Sequence, residues 1–217
     1  MKTEFAKRSA EVEAYFDFIS DDALSADIVP TLKAAAFLLL YNIVESTLTN
    51  CITRIFDEMS AREISFDEAS TQIRIVALKN IKRREAVKLH PSIKSAATDL
   101  LTAAFRADEL FSGNLDARKI RETAKAYGFS DATTVKGGQL LTVKETRNDL
   151  SHGVKSFTEV GRETTLGDLV RIKAETLAYL NDVVNNVEAY IDNQNYLARP
   201  GPTPDEEAGI EELRVSG

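Results

Sequence analysis

Apolar residues recur along this chain at three- and four-residue steps, the spacing of one face of an α-helix. Leu169, Ile172, Thr176, Leu180, Val183, Val187 and Ile191 keep that rhythm, and Thr165-Leu166-Gly167-Asp168 just ahead of them reads as a helix cap. Phe5, Val12, Tyr15, Phe16 and Ile19 predict an amphipathic helix over residues 4–19. Pro30 suits the first turn of a second helix that runs to about residue 60. Ser65-Phe66-Asp67-Glu68 has the form of a capping box and predicts a third helix directly after it. A further helix is expected from Pro91 to about residue 106, and a short one over residues 116–127 ending at Gly128. Residues 129–138 read as a loop. Leu140, Leu141, Val143 and Leu150, with Gly137-Gly138 before and Gly153 after, predict a helix over Gln139–Ser151. No alternating stretch is long enough for a sheet, so the expected fold is all-α, a helical bundle. Pro200, Gly201, Pro202 and Pro204 then break the pattern. Residues 197–217 hold two basic and five acidic residues and no aromatic, which predicts a disordered acidic tail after a domain of residues 1–196.

Composition narrows the class. At 217 residues, 43% hydrophobic and 28% charged, the chain can bury one globular core. Cys51 is the single cysteine, which excludes a disulfide framework and a cysteine zinc site. The start Met1-Lys2-Thr3-Glu4-Phe5 lacks the apolar run of a signal peptide, and the longest apolar run, residues 34–41, is short for a bilayer. The expectation is a cytoplasmic protein with no membrane partner. The net charge of −7 argues against general nucleic-acid binding. Lys79, Lys82, Arg83, Arg84, Lys88 and Lys94 nevertheless cluster against Glu85 alone. Such a stripe is either a solvated helix face or a contact for an RNA backbone. There is no phosphate-binding glycine loop of either common type, and two histidines without an acidic cluster predict no metal and no cofactor.

The most informative chemistry lies in Arg147-Asn148-Asp149-Leu150-Ser151-His152. Arginine is a permanent planar cation suited to phosphate, and histidine moves protons near neutral pH. A second pairing, Arg84 with His90, has the wrong context: Pro91 pushes His90 out of helix and Glu85 follows the arginine. Arg147 and His152 are five residues apart, so on one helix they point about 140° apart and lie about 7.5 Å apart along the axis. One helix makes a poor site from them, and two facing helices make a better one. Neither residue is expected to be needed for the apolar face of its helix.

With Ser112-Gly113-Asn114-Leu115-Asp116-Ala117-Arg118-Lys119-Ile120 before it and Ser156-Phe157-Thr158-Glu159-Val160-Gly161-Arg162 after it, this motif resembles the active-site motif of the HEPN superfamily. The likeness is to the small stand-alone HEPN-like nucleases of bacterial toxin–antitoxin and phage-defence loci, over about residues 31–196. It implies an HEPN-like helical bundle, a homodimer whose paired motifs form a metal-independent RNase cleft, and an antitoxin or defence-complex protein as a further partner. In that reading His152 is the general base for the ribose 2′-hydroxyl, Arg147 stabilises the phosphorane charge, and Asn148 positions the phosphate or His152. The competing reading is a non-catalytic RNA- or nucleotide-binding subunit, to which Arg147 and His152 contribute only contacts; in a purely structural version Arg147 pairs with Asp149 or Glu145 and His152 caps its helix.

The second helix carries a supporting pair. Leu38, Asn42, Glu45, Thr49, Ile52 and Phe56 fall on one face, and a carboxylate in such a row needs a partner. Glu45 is expected either to pair with Arg147, with Asn42 hydrogen-bonding nearby, or to lie on a face that is only half buried, or to pair with a structural base.

Overall fold

The core is organised around α2, Val29–Ala61, which buries residues on most of its circumference, among them Phe37, Leu40, Tyr41, Val44, Leu48, Ile52, Ile55 and Met59. Pro30 sits in its first turn, where the missing N–H costs no hydrogen bond. The computed structural model describes residues 1–21, 23–82, 99–107, 110–111 and 113–198. Its helices are α1 (Lys2–Ile19), α2, α3 (Thr71–Lys82), α4 (Asp99–Ala104), α5 (Ala117–Tyr127), α6 (Gln139–Ser151), α7 (Phe157–Glu163) and α8 (Leu166–Asp192). Helices α1, α6, α7 and α8 all pack on α2, which explains why its sequence is apolar nearly all round. By length and composition α2 could cross a membrane, but here its apolar residues are covered by other helices, as in a core helix.

The all-α class is as expected, and among the described residues the only β-type pairing is an isolated bridge between Ala69 and Leu197. All seven residues of the stripe in α8 are buried, and Thr165 Oγ1 accepts the Asp168 amide at 3.0 Å. Asp116 caps α5, and Gly128 ends it in the left-handed region at φ +91°.

Three elements differ from the sequence reading. Ser65 and Glu68 form the reciprocal bonds of a capping box, yet the box closes one turn and no helix follows directly. The backbone after it is held elsewhere: Ser70 N–H donates to Tyr196 O, and Ala198 N–H donates to Glu68 O, each at 2.7 Å. Helix α3 therefore starts at Thr71. The same bonds hold residues 197 and 198, the first two of the expected tail, against the body of the protein; residues 199–217 lie outside the described residues. The third difference is α7, which the apolar spacing did not reveal. Its signal was a capping box at Ser156 and Glu159, both halves of which are made.

Helix α7 touches α2 backbone to backbone. A Cβ built on Gly161 would lie 1.8 Å from the Pro30 carbonyl oxygen. Lys33 adds a side-chain bond to the carbonyl of Thr164, just past the end of α7.

Candidate functional site

Helix α6 carries the motif, and its ends are set by groups far away in sequence and by local turn chemistry. Its first amide, Gln139 N–H, donates to Glu175 Oε1 of α8 at 2.9 Å, a cap that no local residue supplies. At the other end His152 is the C-cap. Gly153 takes φ +68°, its N–H donates to Leu150 O, and the Val154 N–H donates to Asp149 O at 2.8 Å. These are the paired bonds of a Schellman motif, and they require a residue such as glycine at 153. The His152 side chain is exposed, and its imidazole makes no hydrogen bond among the described residues.

Arg147 departs from expectation. It lies on the inward stripe of α6 with Leu140, Val143 and Leu150, while Leu141 is 44% exposed. The helix face thus does use Arg147. Its guanidinium carbon stands 4.3 Å from the centre of the Tyr41 ring on α2. Nη1 donates to Asn148 Oδ1 at 2.9 Å and reaches the Gly113 carbonyl at 3.5 Å. Gly113 has φ +81°, and a Cβ there would be 3.0 Å from Nη1, so a side chain would crowd the guanidinium. Arg147 is half-buried, and among the described residues it forms no salt bridge, with Asp149, Glu145 or any other carboxylate.

Tyr41 and residues 113–116 together form the seat. The Tyr41 hydroxyl accepts the Leu115 amide at 3.2 Å. Burial pushes its pKa above the ordinary phenol value, against the opposing effects of the Leu115 bond and the Arg147 charge, so the ring under Arg147 stays neutral. Asp116 bonds Lys144 Nζ at 2.6 Å while capping α5 through Lys119 N–H at 2.8 Å. Arg147 and Lys144, one turn apart on α6, thus grip the two ends of the 113–116 segment. Burial acts to raise the Asp116 pKa, but the Lys144 and Lys119 hydrogen bonds and the Lys144 and Arg118 charges outweigh it and hold the carboxyl below its ordinary 3.8.

A depressed carboxyl pKa stabilises the fold fully above the unfolded value and loses that contribution as pH falls through the folded one. Lys144→Met is expected to destabilise the protein by about 3 kcal/mol near neutral pH, because it strands a buried carboxylate. The deficit should begin to shrink as pH falls below about 4 and vanish only once pH passes through the depressed Asp116 pKa of the wild type. Thermal melts of both proteins across pH check it; an equal deficit at acid and neutral pH would contradict the ion-pair account.

The remaining site residues are placed differently from the sequence reading. Glu45 forms no ion pair with Arg147; it lies half-buried and acts on Tyr41 only through its charge. The aromatic one turn earlier takes the guanidinium instead. Asn42 is exposed and accepts from Arg8 of α1 at 3.4 Å, not from Arg147. The face containing both is half-buried at Leu38, Glu45 and Thr49 and becomes buried at Ile52 and Phe56. Lys79 and Lys82 are exposed on α3, whereas Arg83, Arg84 and Lys88, like His90 and Lys94, lie outside the described residues. Tyr41 and Gly113 are the site residues that the spacing missed. Among the described residues no three His, Cys, Asp or Glu side chains converge as a metal would need.

A family model described as MAE_28990-like HEPN matches residues 1–196. The chain belongs to this HEPN family. No curated protein and no solved structure matches significantly. HEPN domains are often RNases and some are non-catalytic, so membership connects this HEPN chain to nuclease or RNA-related function. The family match begins at Met1 and so takes in α1, ahead of the segment that carries the motif resemblance.

Proposed function

We propose that this HEPN protein is a metal-independent endoribonuclease that cuts RNA as a homodimer, with Arg147 and His152 of both protomers in one cleft. The observation that carries the reading is the state of Arg147. Among the described residues, a half-buried guanidinium is held only by neutral groups: an aromatic ring, an amide oxygen and a carbonyl. Burial of a cation without a carboxylate leaves its charge available to an anion, and a planar fork suits phosphate. The ring of His152, exposed beyond the helix end, is free to meet substrate. Their angular separation of about 140° keeps one protomer from completing the site. Pairing two α6 helices supplies two histidines and two arginines.

In the reaction, one His152 takes the proton of the ribose 2′-hydroxyl. The 2′-oxygen attacks phosphorus, and the bond to the 5′-oxygen breaks. The second His152 protonates that leaving oxygen, and Arg147 balances charge on the non-bridging oxygens. The products carry a 2′,3′-cyclic phosphate and a 5′-hydroxyl. A toxin or phage-defence role, with an antitoxin or defence-complex partner, fits such an activity.

The second reading, a binding subunit without catalysis, is favoured by the place of Arg147 on the packed stripe, where it also serves the fold. Substrate chemistry separates the two. In the presence of EDTA, the protein is expected to cut single-stranded RNA to cyclic-phosphate ends and to leave 2′-O-methyl RNA and DNA intact. Equal cutting of 2′-O-methyl RNA would rule out the proposed mechanism; binding of RNA without cutting would favour the second reading.

A further inference from the structure

A pocket of about 360 Å³ opens between α3, α5 and the chain at Phe111, and neither the motif nor the paired helices account for it. Half-buried Phe111 gives it aromatic surface, with the largely buried Tyr127 also in its lining, and Lys79, Arg106 and Lys119 bring three cations from three separate parts of the chain. Glu122 is the one carboxylate among its described lining residues, and it is already engaged by Arg118 and by Lys119 at 3.5 Å. Aromatic surface for a base beside cations for a phosphate is the composition of a single-stranded nucleic-acid subsite. The volume falls in the range of small-ligand sites and suits one nucleotide, not a duplex groove.

Its position links it to the motif. Phe111 lies two residues before Gly113, whose carbonyl takes the Arg147 hydrogen bond. Two residues span at most about 7 Å of chain. The Phe111 edge of the pocket is therefore close to the carbonyl that holds Arg147. We propose that this pocket binds one nucleotide of single-stranded RNA beside the phosphate held by Arg147. The placement along the strand rests on the ribonuclease reading; the binding does not.

The test uses the full chain, labelled with nitrogen-15, and each of the four nucleoside 5′-monophosphates alone. At least one is expected to give saturable shifts of the Lys79, Lys119 and Ala126 amides with a Kd of about 1 mM. Ala126 lines the pocket from an exposed position on α5, so Ala126→Trp fills the space without disturbing the core. That variant, and separately Lys79→Glu with Lys119→Glu, should bind roughly tenfold more weakly at an unchanged Tm. Absence of shifts with all four up to about 10 mM, or undiminished binding by folded Ala126→Trp, overturns the proposal. Inorganic phosphate binding as tightly as the best nucleotide also overturns it, since the base would then add nothing. Nucleotide binding by a protein that cuts no RNA removes the ribonuclease reading and leaves the subsite standing. RNA cutting with an unchanged KM in Ala126→Trp, and no nucleotide binding by wild type, removes the subsite and leaves the ribonuclease.

Discussion

Arg147→Ala protein is expected to lose RNA cleavage by about 10²–10³-fold, the usual effect of removing one charge-stabilising donor. It should also lose stability by about 1 kcal/mol, because the guanidinium stands over Tyr41 and bonds the Gly113 carbonyl. For a chain of this size that amounts to a fall in Tm of roughly 2–4 °C. The two effects separate in Arg147→Lys. An ammonium keeps the positive charge and can rest on the Tyr41 ring, so stability should return most of the way. It cannot present two parallel N–H donors to a phosphate, so cleavage should stay low. Melting curves and single-turnover cleavage rates of the two variants check this. If Arg147→Lys restores cleavage along with stability, the arginine serves the fold alone.

Gly161→Ala is expected to have the largest effect on stability. Its Cβ would meet the Pro30 carbonyl oxygen at 1.8 Å, the carbonyl carbon at 2.3 Å and Cα at 2.5 Å. These are backbone atoms and cannot swing aside like a side-chain tip. Helix α7 would have to lift from α2, opening the packing that also buries Val160. A cost of at least ~3 kcal/mol follows, at the upper end for overpacking, or a fall in Tm of roughly 10 °C. Gly167→Ala is the matched control. Gly167 is helical and exposed, and the nearest atom to its added Cβ is Thr165 Oγ1 at 3.9 Å. That substitution should be neutral or stabilise through helix propensity. Urea or thermal denaturation compares them. Equal stability of the two variants would mean that α7 does not sit against α2 as described.

Helices that bury a long regular stripe were legible in the sequence. Helix α8 offers seven apolar or small positions in register, and α6 lies between glycines that mark its ends. Helix α7 was missed because seven residues with one buried valine and one buried glycine give no period to read. The box at Ser65 pointed to the wrong start because its next residues are bonded by the chain near Tyr196, some 130 residues on in sequence. A cap motif is a local statement, and a distant backbone overruled it. The motif at Arg147 and His152 was legible as chemistry but not as geometry. That Arg147 turns inward depends on Tyr41, Gly113 and Asn148 meeting there, and only Asn148 is a neighbour in sequence. Glu45 looked like the partner because a carboxylate is the commonest companion of a half-buried arginine. The neutral ring of Tyr41 takes that place, and among the described residues no carboxylate pairs with the cation.

The most direct test of the account is the single-turnover rate at which His152→Ala cuts RNA in EDTA, measured against wild type. His152 is exposed, and its cap bonds run through the backbone, so the variant should fold with an unchanged Tm. The account predicts a fall in rate of at least ~10²-fold, since both the base and the acid of the paired site are removed. A folded His152→Ala protein that cuts RNA at the wild-type rate would contradict it.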